Sequence, residues 1–283
     1  MNPARAVGSI PGVFTAQPID DFELPELTPY RTMRRLHEHR QQGIFVAEGE
    51  KVVRRLFESD FEVVSALLPE KWLREHEALL QARPENVRVF VAEKKLLETL
   101  TGFSMYQGVL AVGRVPQPQP LEVLLERCPS PRLLVAVDGL CQAENVGGVM
   151  RNAAALGVQL FIAGETSSSP FLRRAVRSSM GGIFKVPVLE TDNLVRTLGE
   201  LRQRGIRCVA AHPHTERDTL AACDLRGDCC LVLGSEGHGI SPAVLAACDA
   251  MAAIPMHRDV DSLNVSNASA VFLYEANRQR GRG

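Results

Sequence analysis

Between Leu133 and Arg278 the chain alternates short apolar runs with longer amphipathic ones, and this rhythm limits the fold more than any other feature. Leu133–Val137, Val158–Ala163, Phe184–Leu189, Ile206–Ala211, Cys230–Gly234 and Ala252–Met256 are expected as strands. The first, fourth and fifth are nearly continuous apolar runs, as strands covered on both faces must be. Helix punctuation lies between them. Asp192 can cap a helix that Gly205 stops, Ser241-Pro242 and Ser169-Pro170 each supply a cap and a first-turn proline, and a last helix runs from near Asn264 to about Arg278. Alternation of this kind argues an α/β domain, a mostly parallel sheet with helices on both faces.

Upstream, residues 28–115 read as a smaller α/β domain. Arg31 to Arg40 is expected as a helix, and Gly43 to Lys51 as a strand running into a helix that turns Val52, Val53 and Leu56 inward. Phe61–Leu68, Val87–Val91 and Tyr106–Val112 are expected as strands. Residues 1–27 lack periodic pattern and are expected as a mobile tail. Residues 116–130, which open on Pro116-Gln-Pro-Gln-Pro120, are expected as a linker, leaving 131–283 for the second domain. A length of 283 residues suits two domains at roughly 150 residues each.

Composition narrows the function classes. No apolar run reaches the roughly 18 residues of a membrane span, and the N-terminus lacks the basic patch and apolar core of a secretory signal. Seven cysteines without a Cys-x-x-Cys pair suggest reduced, packed thiols in a cytoplasmic protein, with no metal site. A net charge of −1 does not advertise a nucleic-acid binder. Its distribution says more: Arg31, Arg34, Arg35 and Arg40 stand against Glu38 alone, and Arg173, Arg174, Arg177 and Arg278, Arg280, Arg282 form two further clusters. Such clusters either meet phosphates or are solvated helix faces.

Three stretches place glycine and uncharged polar residues at the ends of apolar runs, where open α/β sheets build ligand crevices. They are Asn145-Val-Gly-Gly-Val-Met-Arg151, Leu231-Val-Leu-Gly-Ser-Glu-Gly-His-Gly239, and Ile254-Pro-Met256 followed by Ser262-Leu-Asn-Val-Ser266. Gly147 and Gly148 fall inside a helix instead of spelling Gly-x-Gly-x-x-Gly after the first strand, so a nicotinamide or flavin site is not expected; close helix packing explains them better. Asn145 and Arg151, six residues apart, lie nearly two turns apart on adjoining helix faces. The lean loop Gly234–Gly239 exposes amides around one carboxylate, Glu236.

In this order and wording the three stretches resemble the motifs of the SpoU (TrmH-like) branch of the SPOUT RNA methyltransferases. The resemblance implies a C-terminal trefoil-knot domain, S-adenosylmethionine as cofactor, and methyl transfer to a ribose 2′-hydroxyl. It implies RNA as partner, ribosomal RNA ahead of transfer RNA, and a homodimer with sites formed across its two-fold axis. Matched residue by residue, it implies catalytic roles for Asn145, Arg151, Glu236, Ser262 and Asn264, but none for His238. It implies cofactor contacts at Gly234, Ile254, Met256 and Leu263, with Ala210 and Ala211 nearby. The basic helix, Phe45–Gly49 and Gln107-Gly108-Val109 resemble the family's small substrate-binding domain, which assigns RNA contacts to Arg31, Arg34 and Arg35. The chain departs from the family pattern at Gln142-Ala143, where Asp-Pro is frequent, and at Arg258, where Gly is usual. A non-catalytic RNA-binding or assembly factor on the same fold is the alternative from another class.

Overall fold

Two sheets form, one in each of two units, Met1–Pro116 and Gln117–Gly283. The computed structural model describes residues 14–33, 35–101, 108–213, 219–257 and 262–281. The first unit runs β1 (Phe14–Pro18), α1 (Thr28–Arg31), α2 (Leu36–Gln42), β2 (Ile44–Glu48), α3 (Glu50–Phe57), β3 (Val63–Leu68), α4 (Glu70–Gln81), β4 (Val87–Val91), α5 (Lys94–Thr101) and β5 (Leu110–Arg114). Its strand order is β1-β4-β3-β5-β2. β1 and β3 pair parallel with β4, while β5 runs antiparallel to β3 and β2. Leu27, Tyr30, Val46, Leu67, Leu97 and Leu110 share its core.

Two expectations fail in this unit. Residues 14–27 are not tail: Phe14 to Pro18 add an edge strand in register with Val87 to Val91, and Leu27 is fully buried. The open edge of β4 offers unpaired backbone donors and acceptors. A segment can satisfy them with its side chains largely in solvent, as here, and therefore shows no apolar pattern. The basic helix is also broken. Arg35 takes a non-helical φ of −96° and ψ of 84° ahead of α2, and the Thr32 hydroxyl donates to the Thr28 carbonyl at 2.9 Å while lying 3.2 Å from His39 Nε2. Arg34 lies outside the described residues.

The second unit runs α6 (Leu121–Glu126), β6 (Leu133–Asp138), α7 (Ala143–Ala155), β7 (Leu160–Ala163), α8 (Arg173–Ser178), β8 (Val188–Glu190), α9 (Leu194–Gln203), β9 (Arg207–Ala211), β10 (Cys229–Gly234), α10 (Pro242–Ala246), β11 (Ala250–Ala252) and α11 (Val265–Gln279). All five strand pairings are parallel, in the order β11-β9-β10-β6-β7-β8. Alternate side chains split the sheet's burial between its faces. Leu134, Ala136, Leu160, Ile162, Cys208, Ala210, Cys230 and Val232 meet Leu121, Leu124, Leu125, Leu194, Leu198, Leu201 and Val244 from α6, α9 and α10. On the other side of the sheet α11 packs against β10 and α7, and α7 in turn against α8.

The expected linker therefore contains a core helix, because Leu121, Leu124 and Leu125 sit on one side of α6 and are buried. Phe184 ends a 3-10 turn, Gly182–Phe184, instead of opening a strand. β11 stops at Ala252, before Pro255, which lacks the donor a strand ladder needs. α8 starts at Arg173, and Ser169 instead holds a turn ahead of it, its hydroxyl accepting from the Phe171 N–H and its carbonyl from the Leu172 N–H. The cap of α9 is Asn193, whose side chain accepts from the Arg196 N–H at 2.8 Å. Asp192 instead pairs with Arg196.

The end of α11 is fastened from one side chain. Arg280 donates to the carbonyls of Leu225, Pro131, Arg132 and Gly227 at 2.6–3.2 Å and approaches Cys229 Sγ at 3.3 Å. This basic residue is committed to the fold, and Arg278 pairs with Glu275. All seven cysteines are free. Burial pushes the Cys229 thiol up to about 11 and that of Cys248 to about 12, so both are protonated and inert at neutral pH.

Candidate functional site

A cavity of about 370 Å³ opens at the carboxyl ends of β9, β10 and β11. Ala211 closes one end, the loop from Gly234 to Ile240 forms a rim, and Ile254, Met256, Ser262 and Leu263 enclose it from the returning chain. Apolar walls come from Leu233, Ala252, Val265 and Phe272. The volume falls in the range of small-ligand sites, roughly 300–1,000 Å³. The rim is folded back on the strand end: Ser235 and Gly239 exchange backbone hydrogen bonds at 2.9 Å. That return needs a bare α-carbon at Gly234, because an added Cβ would strike the Gly239 carbonyl carbon and the Ile240 nitrogen. The backbone N–H groups of Ile254, Met256 and Leu263 find no backbone acceptor among the described residues.

Asp138 anchors this end of the sheet. Its buried carboxylate accepts from the Ser241 N–H at 2.7 Å and the Thr166 hydroxyl at 3.2 Å, tying β6 to the start of α10. It stands one residue beyond the expected strand Leu133–Val137, and its partner Ser241 lies 103 positions away.

Helix α7 carries two contact stripes. Asn145, Gly148 and Asn152 face α11: Asn264 Nδ2 donates to Asn145 Oδ1 at 3.1 Å, a Cβ on Gly148 would meet Ser266 Oγ at 2.5 Å, and Asn152 Nδ2 donates to the Ser266 carbonyl at 2.6 Å and Ser269 Oγ at 2.9 Å. Glu144, Gly147 and Arg151 face α8 and the turn after it. Glu144 lies 3.4 Å from Arg174, a Cβ on Gly147 would collide with the Ala175 carbonyl oxygen, and the Arg151 α-carbon would lie 3.3 Å from a Cβ on Gly182. Both glycines of the first stretch thus serve close packing, as their place inside a helix implied.

The amide orientations around Asn264 are all determined. Its Oδ1 accepts from the Ser266 N–H at 2.9 Å as the cap of α11, so its Nδ2 must face Asn145 and Glu236. It donates to Asn145 Oδ1 and, in a short hydrogen bond, to Glu236 Oε1. Asn145 then turns its own Nδ2 to Gln142 Oε1 at 3.2 Å. Gln142, a departure from the family pattern, closes this relay while standing as the N-cap residue of α7.

Of the sequence-expected catalytic residues, Asn145, Glu236 and Asn264 are hydrogen-bonded together, and Ser262, like Glu236, lines the cavity. Arg151 stands two turns along α7, about 9 Å on at the usual rise, exposed and without a side-chain partner among the described residues. Ala211, Gly234, Ile254, Met256 and Leu263 line the cavity. Ala210 does not: one residue back along β9, its side chain points to the opposite face and is fully buried among α9 and α10. Sequence reasoning missed His212 and Phe272 as lining residues. Arg31 is exposed and donates to the neutral Thr28 Oγ1, whereas Arg35 pairs with Glu38 at 3.0 Å, so only the latter has its charge matched by this contact. Arg258 and Gln107 lie outside the described residues. Among the described residues no group of three or more His, Cys, Asp or Glu side chains could hold a metal ion, and no helix is long and apolar enough to cross a membrane.

Comparison with known proteins accounts for this arrangement. The sequence model of the SpoU rRNA Methylase family matches residues 132–274. The 23S rRNA (guanosine-2′-O-)-methyltransferase RlmB of Ralstonia nicotianae is 35% identical over 208 residues, 73% of this chain and 83% of that protein. An uncharacterised tRNA/rRNA methyltransferase of Mycobacterium tuberculosis is 30% identical over 277 residues, 95% of this chain and 94% of that one. The crystal structure of the SpoU methyltransferase AviRb from Streptomyces viridochromogenes superposes with a TM-score of 0.77 at 25% identity, covering 89% of this chain and 96% of AviRb. The same AviRb has also been solved in complex with AdoMet. With its three motifs brought to one end of a parallel sheet, the chain belongs to the SpoU rRNA methylase family.

Proposed function

We propose that the protein moves a methyl group from S-adenosylmethionine to a ribose 2′-hydroxyl of RNA, with ribosomal RNA as its substrate. The observation that carries this reading is the juxtaposition of the cavity with the bonded trio Asn145, Glu236 and Asn264. The cavity fits the cofactor: apolar walls suit an adenine ring and the hydrocarbon part of a methionine arm, and the amides of Ile254, Met256 and Leu263 suit its ring nitrogens and carboxylate. Bound there, S-adenosylmethionine supplies an electrophilic methyl on a sulfonium. Glu236 holds Asn264 and through it Asn145, fixing the ribose-side polar groups. Arg151 holds a flanking phosphate and stabilises negative charge on the 2′-oxygen as its proton leaves. Already protonated at neutral pH, a guanidinium has no lone pair to take that proton, which passes to solvent water as the 2′-oxygen bonds to the methyl carbon and S-adenosylhomocysteine departs. The name of the mycobacterial relative favours transfer RNA as a second substrate reading. Isothermal calorimetry with S-adenosylmethionine and mapping of 2′-O-methyl sites in total RNA, with and without the gene, test both readings. Micromolar binding and one lost methyl site are expected; no binding would make the protein a non-catalytic RNA-binding factor.

The working form in this reading is a cytoplasmic homodimer. Val146, Val149 and Ala153 of α7 are buried within their own unit and are not available to a partner. Val271 at 39% and Tyr274 at 57% exposure remain open on α11 and offer the self-complementary patch a two-fold contact needs. Sedimentation equilibrium at tens of micromolar is expected to give about twice the 31.0 kDa chain mass. The double variant Val271→Asp, Tyr274→Arg is expected to sediment as a monomer and lose transfer. A fully active monomer would refute the shared site.

A further inference from the structure

We infer that the groove between α7 and α8 is a phosphate-binding strip that grips the RNA backbone beside the target ribose, an inference that rests on the RNA-methylating reading. α8 carries Arg173, Arg174 and Arg177 within six residues and no acid. The helix runs alongside α7 in the same direction, since Glu144 meets Arg174, Gly147 meets Ala175 and Ser178, and Arg151 meets the turn at Gly182. The level of Arg177 therefore falls between those of Gly147 and Arg151, and the α8 cations line up with the one that α7 contributes. Arg151, Arg174 and Arg177 are all exposed.

Two features hold the strip rigid. Gly147 allows helix α8 to lie directly on α7 at the Ala175 carbonyl. The turn that follows puts Met180 at φ 50° and Gly181 at φ 81°, and Met180 is the single non-glycine residue with positive φ among the described residues. Such backbone costs of order 1–3 kcal/mol and persists where the surroundings enforce it. Here it sets Gly182 3.1 Å, measured to an added Cβ, from the Met150 carbonyl oxygen at the level of Arg151. Glu144 sets a counter-charge against Arg174 through their 3.4 Å pair, and both side chains are more than half exposed. A pair this exposed contributes little to stability, so phosphate can displace Glu144 cheaply.

The strip predicts opposite results for two kinds of variant. The probe is a mixed-sequence single-stranded RNA of 20 nucleotides, titrated at several salt concentrations. Arg174→Ala with Arg177→Ala is expected to weaken binding and lower the salt slope by about 0.7 per lost phosphate contact. Glu144→Gln, which frees Arg174, is expected to tighten binding about two- to fivefold. Because Glu144→Gln removes only an exposed ion pair, it reads the strip even if the double arginine variant fails to fold. Unchanged slope in the arginine variant together with unchanged affinity in Glu144→Gln would overturn the inference, as would displacement of the RNA by poly-glutamate at equal charge, which would assign the strip to an acidic protein. Calorimetry with S-adenosylmethionine on the wild-type protein runs in parallel. Loss of that signal with an intact salt response would count against methyl transfer and leave the strip standing.

Discussion

Arg151→Ala is expected to lower kcat by about 10²–10³-fold, the usual loss when a donor to a developing oxyanion is removed. S-adenosylmethionine affinity is expected to stay near wild type, because Arg151 is not among the residues that line the cavity. The fold should hold as well, since the side chain is exposed and makes no hydrogen bond or ion pair among the described residues. Lysine is not expected to rescue, because a point charge lacks the planar fork that can meet a phosphate and the 2′-oxygen together. Calorimetry for the cofactor and single-turnover transfer for the chemistry separate the two effects. Turnover by Arg151→Lys within a few-fold of wild type would remove Arg151 from this role.

Gly234→Ala is expected to damage the cofactor site through space alone. The added methyl would strike the Gly239 carbonyl carbon and the Ile240 nitrogen, both main-chain atoms that cannot rotate away. Overpacking of this kind costs about 1–3 kcal/mol. If the strain falls on the cofactor-bearing loop, it weakens affinity between about 5- and 150-fold; if on the fold, melting drops roughly 2–4 °C for each kcal/mol. Gly199→Ala in α9 is the control: nothing lies within 4 Å of its added Cβ, and the helix gains about 1 kcal/mol from the exchange. Gly234→Ala with wild-type melting and wild-type cofactor affinity would mean that the loop yields freely.

How much was legible beforehand varied with the range of the interaction. β4 was expected at Val87–Val91 and is found there, and the last helix was expected from near Asn264 and begins at Val265 with Asn264 as its cap. Both are fixed by local pattern: alternation in one, a short polar cap ahead of an apolar stripe in the other. β1 was illegible because its burial is mainly backbone pairing at a sheet edge, which leaves no trace in side-chain periodicity. The broken basic helix was illegible for a related reason: Arg31 to Arg40 is rich in helix formers, and the kink is set by Thr32 and His39 meeting across it.

The sequence by itself determined the parallel α/β architecture of the second unit and the three stretches that end its strands. Hydrophobic periodicity and glycine placement are local, and they survive without knowledge of neighbours. Only the tertiary structure decided what those stretches do to one another. It bonded Asn264 to both Asn145 and Glu236, 119 and 28 positions away, and gave Gln142 the end of that relay. It took Ala210 out of the cavity and into the core, and took Arg280 out of the basic clusters to clamp α11. The physical reason is shared. A polar side chain's role depends on which donor or acceptor lies within about 3 Å of it, and chain spacing does not encode that distance once the chain folds back on itself.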